Sequence, residues 1–334
     1  MTNPPSFGLV AIGRNEGERL KQCLFSASQA ELIVYVDSGS SDGSTEWAEA
    51  NGFEVVELDM SRGFTAARAR NAGFKRLMQM APHLQYVQFV DGDCELAQEW
   101  PQTAVSFLEQ QSDTAAVCGR LRERYPERSV YNWLCDKEWD RPAGEIKSCA
   151  GNVMMRARSL QHVGGYREDV IAAEEDELCV RLRQAGWKIW RLSVEMALHD
   201  AAMLHFGQWW RRSCRAGYAF AQGNHLHGEP PERHFVREVR RAAIWGLLLP
   251  LTFVVISASF SRFGLLAFLI YPMQFVRLTT TNRGSPLSRA RMAFFQTLSR
   301  FPEGLGVAMF WRDQLLHRPP RLIEHKPIPK STIS

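Results

Sequence analysis

The chain has 334 residues, 45% of them hydrophobic and 23% charged, enough apolar material to bury one large core and leave a second region of different character. Its formal net charge of +4 conceals an asymmetry, because residues 1–200 carry 22 Lys and Arg against 30 Asp and Glu while residues 201–334 carry 18 against 6. The basic half lies beside apolar runs with no nucleic-acid recognition motif, so it points to anionic lipid headgroups and away from nucleic acid.

From Phe7 to about Leu121, short apolar runs alternate with helix-length amphipathic segments, the pattern of a parallel sheet covered by helices. Strands are expected at Leu9–Ile12, Leu32–Val36, Glu54–Leu58, Tyr86–Val90 and Ala115–Gly119. Helices at Glu18–Ala30, Gly43–Asn51 and Phe64–Met80 are long enough for the crossovers that parallel neighbours require. The N-terminus enters its first strand after Pro4 and Pro5 without a basic n-region, so no cleaved signal is expected. The seven cysteines show neither CxxC pairs nor zinc spacing, which suits reduced thiols in a cytosolic compartment.

Near Trp245 the character changes. Trp245–Phe260 and Phe263–Val276 contain no charge and are separated only by Ser261 and Arg262. Each run is shorter than the ~20 residues that span a bilayer, which leaves two tilted short helices, a re-entrant hairpin or one interrupted span. Arg233, Arg237, Arg240 and Arg241 flank the first run as the positive-inside rule expects. The alternative is a soluble hairpin buried in its own fold. The rest of the chain, Thr279–Ser334, is amphipathic and then proline-rich.

Three polar clusters carry candidate chemistry. Asn15 and Glu16 follow the first strand, and Asp37 ends the second before the turn SGSSDGS; in an open α/β sheet this edge is where ligands bind, and turn amides there favour phosphate. An Asp in such a turn is equally well a capping residue, and GSSDGS is not the dinucleotide fingerprint GxGxxG. Asp91-Gly92-Asp93 ends the fourth strand, an oxygen-rich pair suited to Mg²⁺ or Mn²⁺ bridging a diphosphate. Arg70, on the preceding helix, can meet the same diphosphate as a bidentate donor. Finally, Glu174-Glu175-Asp176-Glu177 opens a helix, where acidic residues either complement the helix dipole or supply a general base. The loop before it contains Gly151 and Asn152, small residues that let backbone approach a bound sugar.

In this order the segments from Leu9 to Gly217 resemble family 2 glycosyltransferases of the GT-A fold, in a branch similar to exopolysaccharide and cell-envelope enzymes. The resemblance implies a mostly parallel Rossmann-like sheet with flanking helices over residues 1–225; the basic helical region over 226–334 is expected from its apolar runs to associate with membrane. It also implies that Asp37 contacts the nucleotide base, Arg70 positions the diphosphate, Asp91 reaches the ribose and Asp93 binds the metal. The usual acidic motif reads Glu-Asp-x-Asp-Leu; register on Leu178 and Arg181 puts Glu175 at the catalytic position, with Glu174 and Asp176 as alternatives. His199 resembles the family's late metal ligand, and His205 is a second candidate. Trp209, Trp210 and Arg211 are candidates for stacking on an acceptor sugar, with membrane interface or plain packing as the other readings.

The expected activity is inverting transfer from a nucleotide-diphosphate sugar, a UDP-sugar foremost, to a saccharide or lipid-linked acceptor at the cytoplasmic face of the membrane. The competing readings are a sugar-nucleotide nucleotidyltransferase, which gives no reason for the acidic helix or the apolar segments, and a non-catalytic carbohydrate-binding subunit, which would not need to keep both acidic motifs.

Overall fold

The computed structural model describes residues 6–259 and 262–318. The chain divides into two compact units, Met1–Leu204 and His205–Ser334. The expected apolar runs therefore lie in the second unit, with Phe260, Ser261 and the proline-rich end outside the described residues.

The first unit opens with β1 (Phe7–Gly13), α1 (Glu18–Ser26), β2 (Leu32–Asp37), α2 (Ser44–Ala50), β3 (Glu54–Glu57), α3 (Ala66–Met80) and β4 (Tyr86–Asp91). β1 lies between β2 and β4, parallel to both, and β3 extends the parallel run beyond β2. Leu9, Val10, Ala11, Val34, Val36, Val87 and Val90 are sealed from solvent, which is why these strands read as unbroken apolar runs and not as alternations. Register sets Gly13 beside Asp37 and Ile12 beside Asp91. The polar residues that follow β1, β2 and β4 therefore share one edge of the sheet.

The remaining elements are β5 (Cys94–Leu96), α4 (Trp100–Gln110), β6 (Thr114–Glu123), α5 (Val130–Trp139), β7 (Gly144–Glu145), β8 (Val153–Arg156), α6 (Ala157–His162), α7 (Glu174–Gln184) and β9 (Lys188–His199). The nine strands form one sheet in the order β3-β2-β1-β4-β8-β6-β9-β5, with β7 pairing to β9. Here the sheet departs from a simple parallel run: β8 inserts antiparallel between β4 and β6, and β5 and β7 also pair antiparallel to β9. These strands are two to four residues long, too short for a period of two to show in sequence.

The second unit contains α8 (Phe206–His227), α9 (Val236–Ala243), a π-helical turn (Ile244–Leu248), α10 (Leu249–Ser259), a 3₁₀ segment (Arg262–Leu269), α11 (Ile270–Thr281), α12 (Pro286–Leu298) and α13 (Arg300–Leu315). Val236–Ala258 is one continuous helix, long and apolar enough to cross a membrane, and only 11% of its most apolar stretch is buried. Pro250 lacks the N–H that would bond back one turn, and the π turn falls just before it. The second apolar run is split between the 3₁₀ segment and α11, which starts where Pro272 fits its first turn. Phe253 packs on Phe268 and Trp245 on Tyr271, with ring centroids 5.2 and 5.9 Å apart, so the two runs lie side by side.

α13 meets α8 and the π turn backbone to backbone. An added Cβ on Gly217 would land on the Glu303 carbonyl, one on Gly306 on the Cys214 carbonyl, and one on Gly246 on the Arg300 carbonyl. Overpacking of this kind costs about 1–3 kcal/mol. Gly306→Ala should therefore lower the unfolding free energy of the full-length chain in detergent by that amount and shift its unfolding midpoint downward, and an unchanged midpoint would show that the helices separate without cost.

Candidate active site

The site is organised by Arg70. Thr65 caps α3 by accepting a hydrogen bond from the Arg68 amide at 3.2 Å, and the helix then carries Arg70 into the protein, where it is 2% exposed. Its Nη1 donates to Glu174 Oε1 at 2.5 Å and lies 3.1 Å from Glu175 Oε1, while Nη2 donates to Asp91 Oδ1 at 3.0 Å. The Tyr166 ring lies against the guanidinium, 5.6 Å from its carbon. Four of the residues singled out in the sequence thus form one ion cluster, drawn from α3, the end of β4 and the start of α7.

Gly151 passes directly over this cluster. A Cβ there would collide with Arg70 Nη2 and come within 2.8 Å of Glu175 Oε1, so the position needs glycine for space. Asn152 follows, its Oδ1 accepting from the Asp91 amide at 3.1 Å and its Nδ2 donating to Cys94 Sγ at 3.5 Å. Asn71, next to Arg70, clamps the following loop by accepting from the Tyr166 amide and donating to the Tyr166 carbonyl, each at 2.8 Å.

The acidic run divides by helical position. Glu174 and Glu175 face Arg70, whereas Glu177 is buried in a bidentate pair with Arg181 on the next turn. Asp176 has different neighbours, Ser148, Arg183 and Arg141, and burial pushes its carboxyl up to about 6. Glu175, its side chain 15% exposed, is pushed up to about 8 by burial and then by the Glu174 charge, against the opposing pull of Arg70.

A second cluster adjoins the first through Asn152. His199, the last residue of β9, lies opposite Cys94 across the β5–β9 pair, and its Nε2 is 3.2 Å from Asp93 Oδ2. Cys94 Sγ is 3.6 Å from Asp93 Oδ1. Trp139 lies against the imidazole with centroids 4.7 Å apart. Behind it, the buried Glu123 accepts from the Ala201 and Tyr125 amides and from Asn132 Nδ2, fixing the chain that leaves β9. A carboxylate, an imidazole and a thiol within reach of one point fit a divalent cation.

Asp37 turns into its own loop: Oδ2 accepts from the Gly39 and Ser40 amides at 2.9 and 2.8 Å, and Oδ1 from the Tyr35 hydroxyl at 2.7 Å. Asn15, at φ +55°, accepts from the Ser41 amide through its Oδ1 and donates from its own amide to Ser40 Oγ, and Glu16 pairs with Arg19 at 2.6 Å. These residues knit the loops after β1 and β2 together. In the second unit, His205 caps α8 with Gln208, Trp209 is buried against Phe295 with centroids 5.1 Å apart, Trp210 packs on Phe206, and Arg211 is exposed.

Sequence reading missed Cys94, Glu123, Asn132 and Tyr166. Only Cys94 carried a signal, its position directly after Asp-Gly-Asp.

Against known proteins, the family model described as Glycosyl transferase family 2 matches residues 10–159. Glycosyltransferase AglE of Haloferax volcanii is 25% identical over 263 residues, 73% of this chain and 81% of the relative. Among solved structures, mannosyltransferase PcManGT from Pyrobaculum calidifontis, in complex with GDP-Man and Mn²⁺, superimposes with a TM-score of 0.64 at 16% identity, covering 94% of this chain and 89% of its own. S. aureus TarS 1–349 in complex with UDP gives 0.51 at 15% identity, with 92% of each chain covered. The fold of the first unit is the GT-A glycosyltransferase fold.

The raised Glu175 carboxyl has a consequence for stability. Unfolded, it loses its proton near 4.5; folded, near 8. Between those values the unfolded state holds fewer protons, so stability falls as pH rises. Thermal unfolding of Glu175→Gln and wild type should diverge across that window, the wild type losing ground toward pH 8. Parallel curves would show that Glu175 ionises freely.

Proposed function

We propose that this chain is an inverting, metal-dependent glycosyltransferase that moves a sugar from a nucleoside-diphosphate donor to a hydroxyl of a saccharide or lipid-linked acceptor at a membrane surface. The observation that carries this is the placement of Glu175 beside Asp91 and the Asp93–His199 pair at the carboxyl edge of the β-strands.

In this reading Glu175 is the general base. Held by Arg70 and partly open to solvent, it takes the proton from the acceptor hydroxyl as that oxygen attacks the anomeric carbon. The bond to the diphosphate breaks on the opposite face, which inverts the configuration. Arg70 is a positioning residue that keeps Glu175 and Asp91 on one wall of the site, and it lies close enough to bias a bound diphosphate. Asp93 and His199 would hold Mg²⁺ or Mn²⁺, which when bound offsets charge on the departing diphosphate. Asp91 reaches the ribose, while Asp37, Asn15 and Glu16 shape the pocket for the base. Two similar folds carry GDP-Man with Mn²⁺ and UDP, which supports a nucleotide-sugar donor; a UDP-sugar is the first to test.

The second unit supplies the membrane association. Leu251, Val255, Met273 and Val276 are exposed apolar side chains on adjoining helices, a patch of the kind that lipid covers. Arg237, Arg240 and Arg241 lie at one end of this patch, where cytoplasmic anionic headgroups would meet them.

Glu175→Gln should lower kcat by about 10²–10⁴-fold while sparing donor affinity, and Glu177→Gln should cost stability but not turnover. Loss at Glu174→Gln or Asp176→Asn with Glu175→Gln intact would move the base to that residue. Asp93→Ala, or chelator with wild type, should abolish transfer, and NMR of the product anomer tests inversion. The full-length chain should pellet with membranes at high speed and be released by detergent; recovery in the supernatant would refute the membrane assignment.

A further inference from the structure

The cation site contains a donor that oxygen-seeking metals do not choose. Cys94 and His199 are directly opposed across an antiparallel strand pair, so their side chains leave the same face of the sheet. Asp93 Oδ2 is 3.2 Å from His199 Nε2, Asp93 Oδ1 is 3.6 Å from Cys94 Sγ, and all three donor groups lie within 4.8 Å of one another. Bonds of about 2.0–2.3 Å from a tetrahedral metal to O, N and S ligands put those ligands roughly 3.3–3.7 Å apart. The two Asp93 distances, each through a different oxygen, already match that spacing, and the donor set, all within 4.8 Å, closes on one ion with a shift of about 1 Å or less. The thiol is also not set among apolar groups on every side as a packing cysteine is: Asn152 donates to its sulfur at 3.5 Å while holding the Asp91 amide with its other end.

We propose that Cys94 is a third protein ligand at this site, and that it makes the site take thiophilic divalent ions, Zn²⁺, Co²⁺ or Cd²⁺, in competition with Mg²⁺ or Mn²⁺. The inference rests on Asp93 and His199 as the cation-holding pair. As the sulfur–metal bond forms, the thiol proton leaves to solvent and the Asn152 amide remains on the sulfur. Asp93, His199 and Cys94 then fill three positions of a tetrahedral centre, and the fourth stays open to water or a phosphate oxygen. A six-coordinate Mn²⁺ can use the carboxylate and imidazole without the thiol.

The test uses the full-length protein in detergent with Mn²⁺ and Cd²⁺ as probes. Mn²⁺ binding is followed by electron paramagnetic resonance, and Cd²⁺ binding by the ultraviolet thiolate-to-metal charge-transfer absorption. Wild type should develop that absorption to saturation at one equivalent of Cd²⁺ and release Mn²⁺ as it does so. C94S and C94A should both lose the absorption and bind Cd²⁺ about tenfold or more weakly, with Mn²⁺ binding little changed. C149S should keep the absorption; Cys149 and Cys179, whose sulfurs lie 3.5 Å apart, form a thiol pair outside the site that this variant removes as a source of the signal. Cd²⁺ uptake by wild type without the absorption, its persistence in C94S, or its loss in C149S overturns the proposal. Mn²⁺ binding undiminished in D93A and H199A overturns instead the cation assignment on which it rests.

Discussion

The buried guanidinium of Arg70 is the constraint on which the active side of the first unit depends. It joins three segments far apart in sequence, the end of β4 through Asp91 and the first turn of α7 through Glu174 and Glu175, all reached from α3. Taking such charges out of water is costly, and close carboxylates offset that cost, although Arg70 Nε, also buried, has no hydrogen-bond partner. Enclosing the guanidinium reaches outward. It leaves no room for a side chain at Gly151, it places Tyr166 against the guanidinium, and it makes Asn71 necessary to hold the loop that brings Tyr166 there. Loops that would otherwise be free to vary are fixed because one cation must be enclosed.

The same cluster is deliberately out of balance. One guanidinium faces three carboxylates, so at least one of them is held near neutrality by burial and by its neighbours, and the shift falls on Glu175. Its helix neighbour Glu177 has its own partner in Arg181 and is neutralised locally. Adjacent acidic residues thus take different roles according to what faces them across the helix, which is how perturbed carboxyls come to mark functional sites. In the proposed reaction, that imbalance is what would raise the basicity of Glu175 toward the acceptor hydroxyl.

Most of the parallel half of the sheet was legible because β1, β2 and β4 are largely buried and read as continuous apolar runs; β3, EVVE, is only partly buried, and all four fall where the pattern puts them. β5, β7 and β8 were not, because segments of two to four residues carry no period. Within the site, the acidic run was visible in the sequence; in the structure Leu178 is buried and Arg181 closes on Glu177. What sequence could not show is which carboxylates share a partner, since that depends on Ala173 taking a left-handed conformation just before α7 and so setting the angle at which the helix begins. Cys94 was hidden for a related reason. Its meaning comes from a cross-strand partner, His199, more than a hundred positions away, and no local pattern records that pairing. Asp37 could be read as a ligand residue or as a turn former; its Oδ2 accepts from the turn amides of Gly39 and Ser40, while Oδ1 accepts from the Tyr35 hydroxyl of β2.

The two units solve packing in different ways, and the difference has a physical reason. In the first, large side chains such as Trp100, Tyr86 and Phe89 are removed from water, and the hydrophobic effect drives them together. In the second, glycines at positions 217, 246 and 306 bring helix backbones into contact, while apolar side chains of α10 and α11 stay on the outside. Lipid tails are as apolar as leucine, so an apolar helix immersed in them gains nothing by hiding its leucines from water; close approach through small residues still gains dispersion and fixes helix angles. A unit packed in this manner holds its internal arrangement whether its outer face meets detergent, lipid or the boundary between lipid and water. The exposed apolar surface is then a consequence of how the unit is held together and not a defect in its folding.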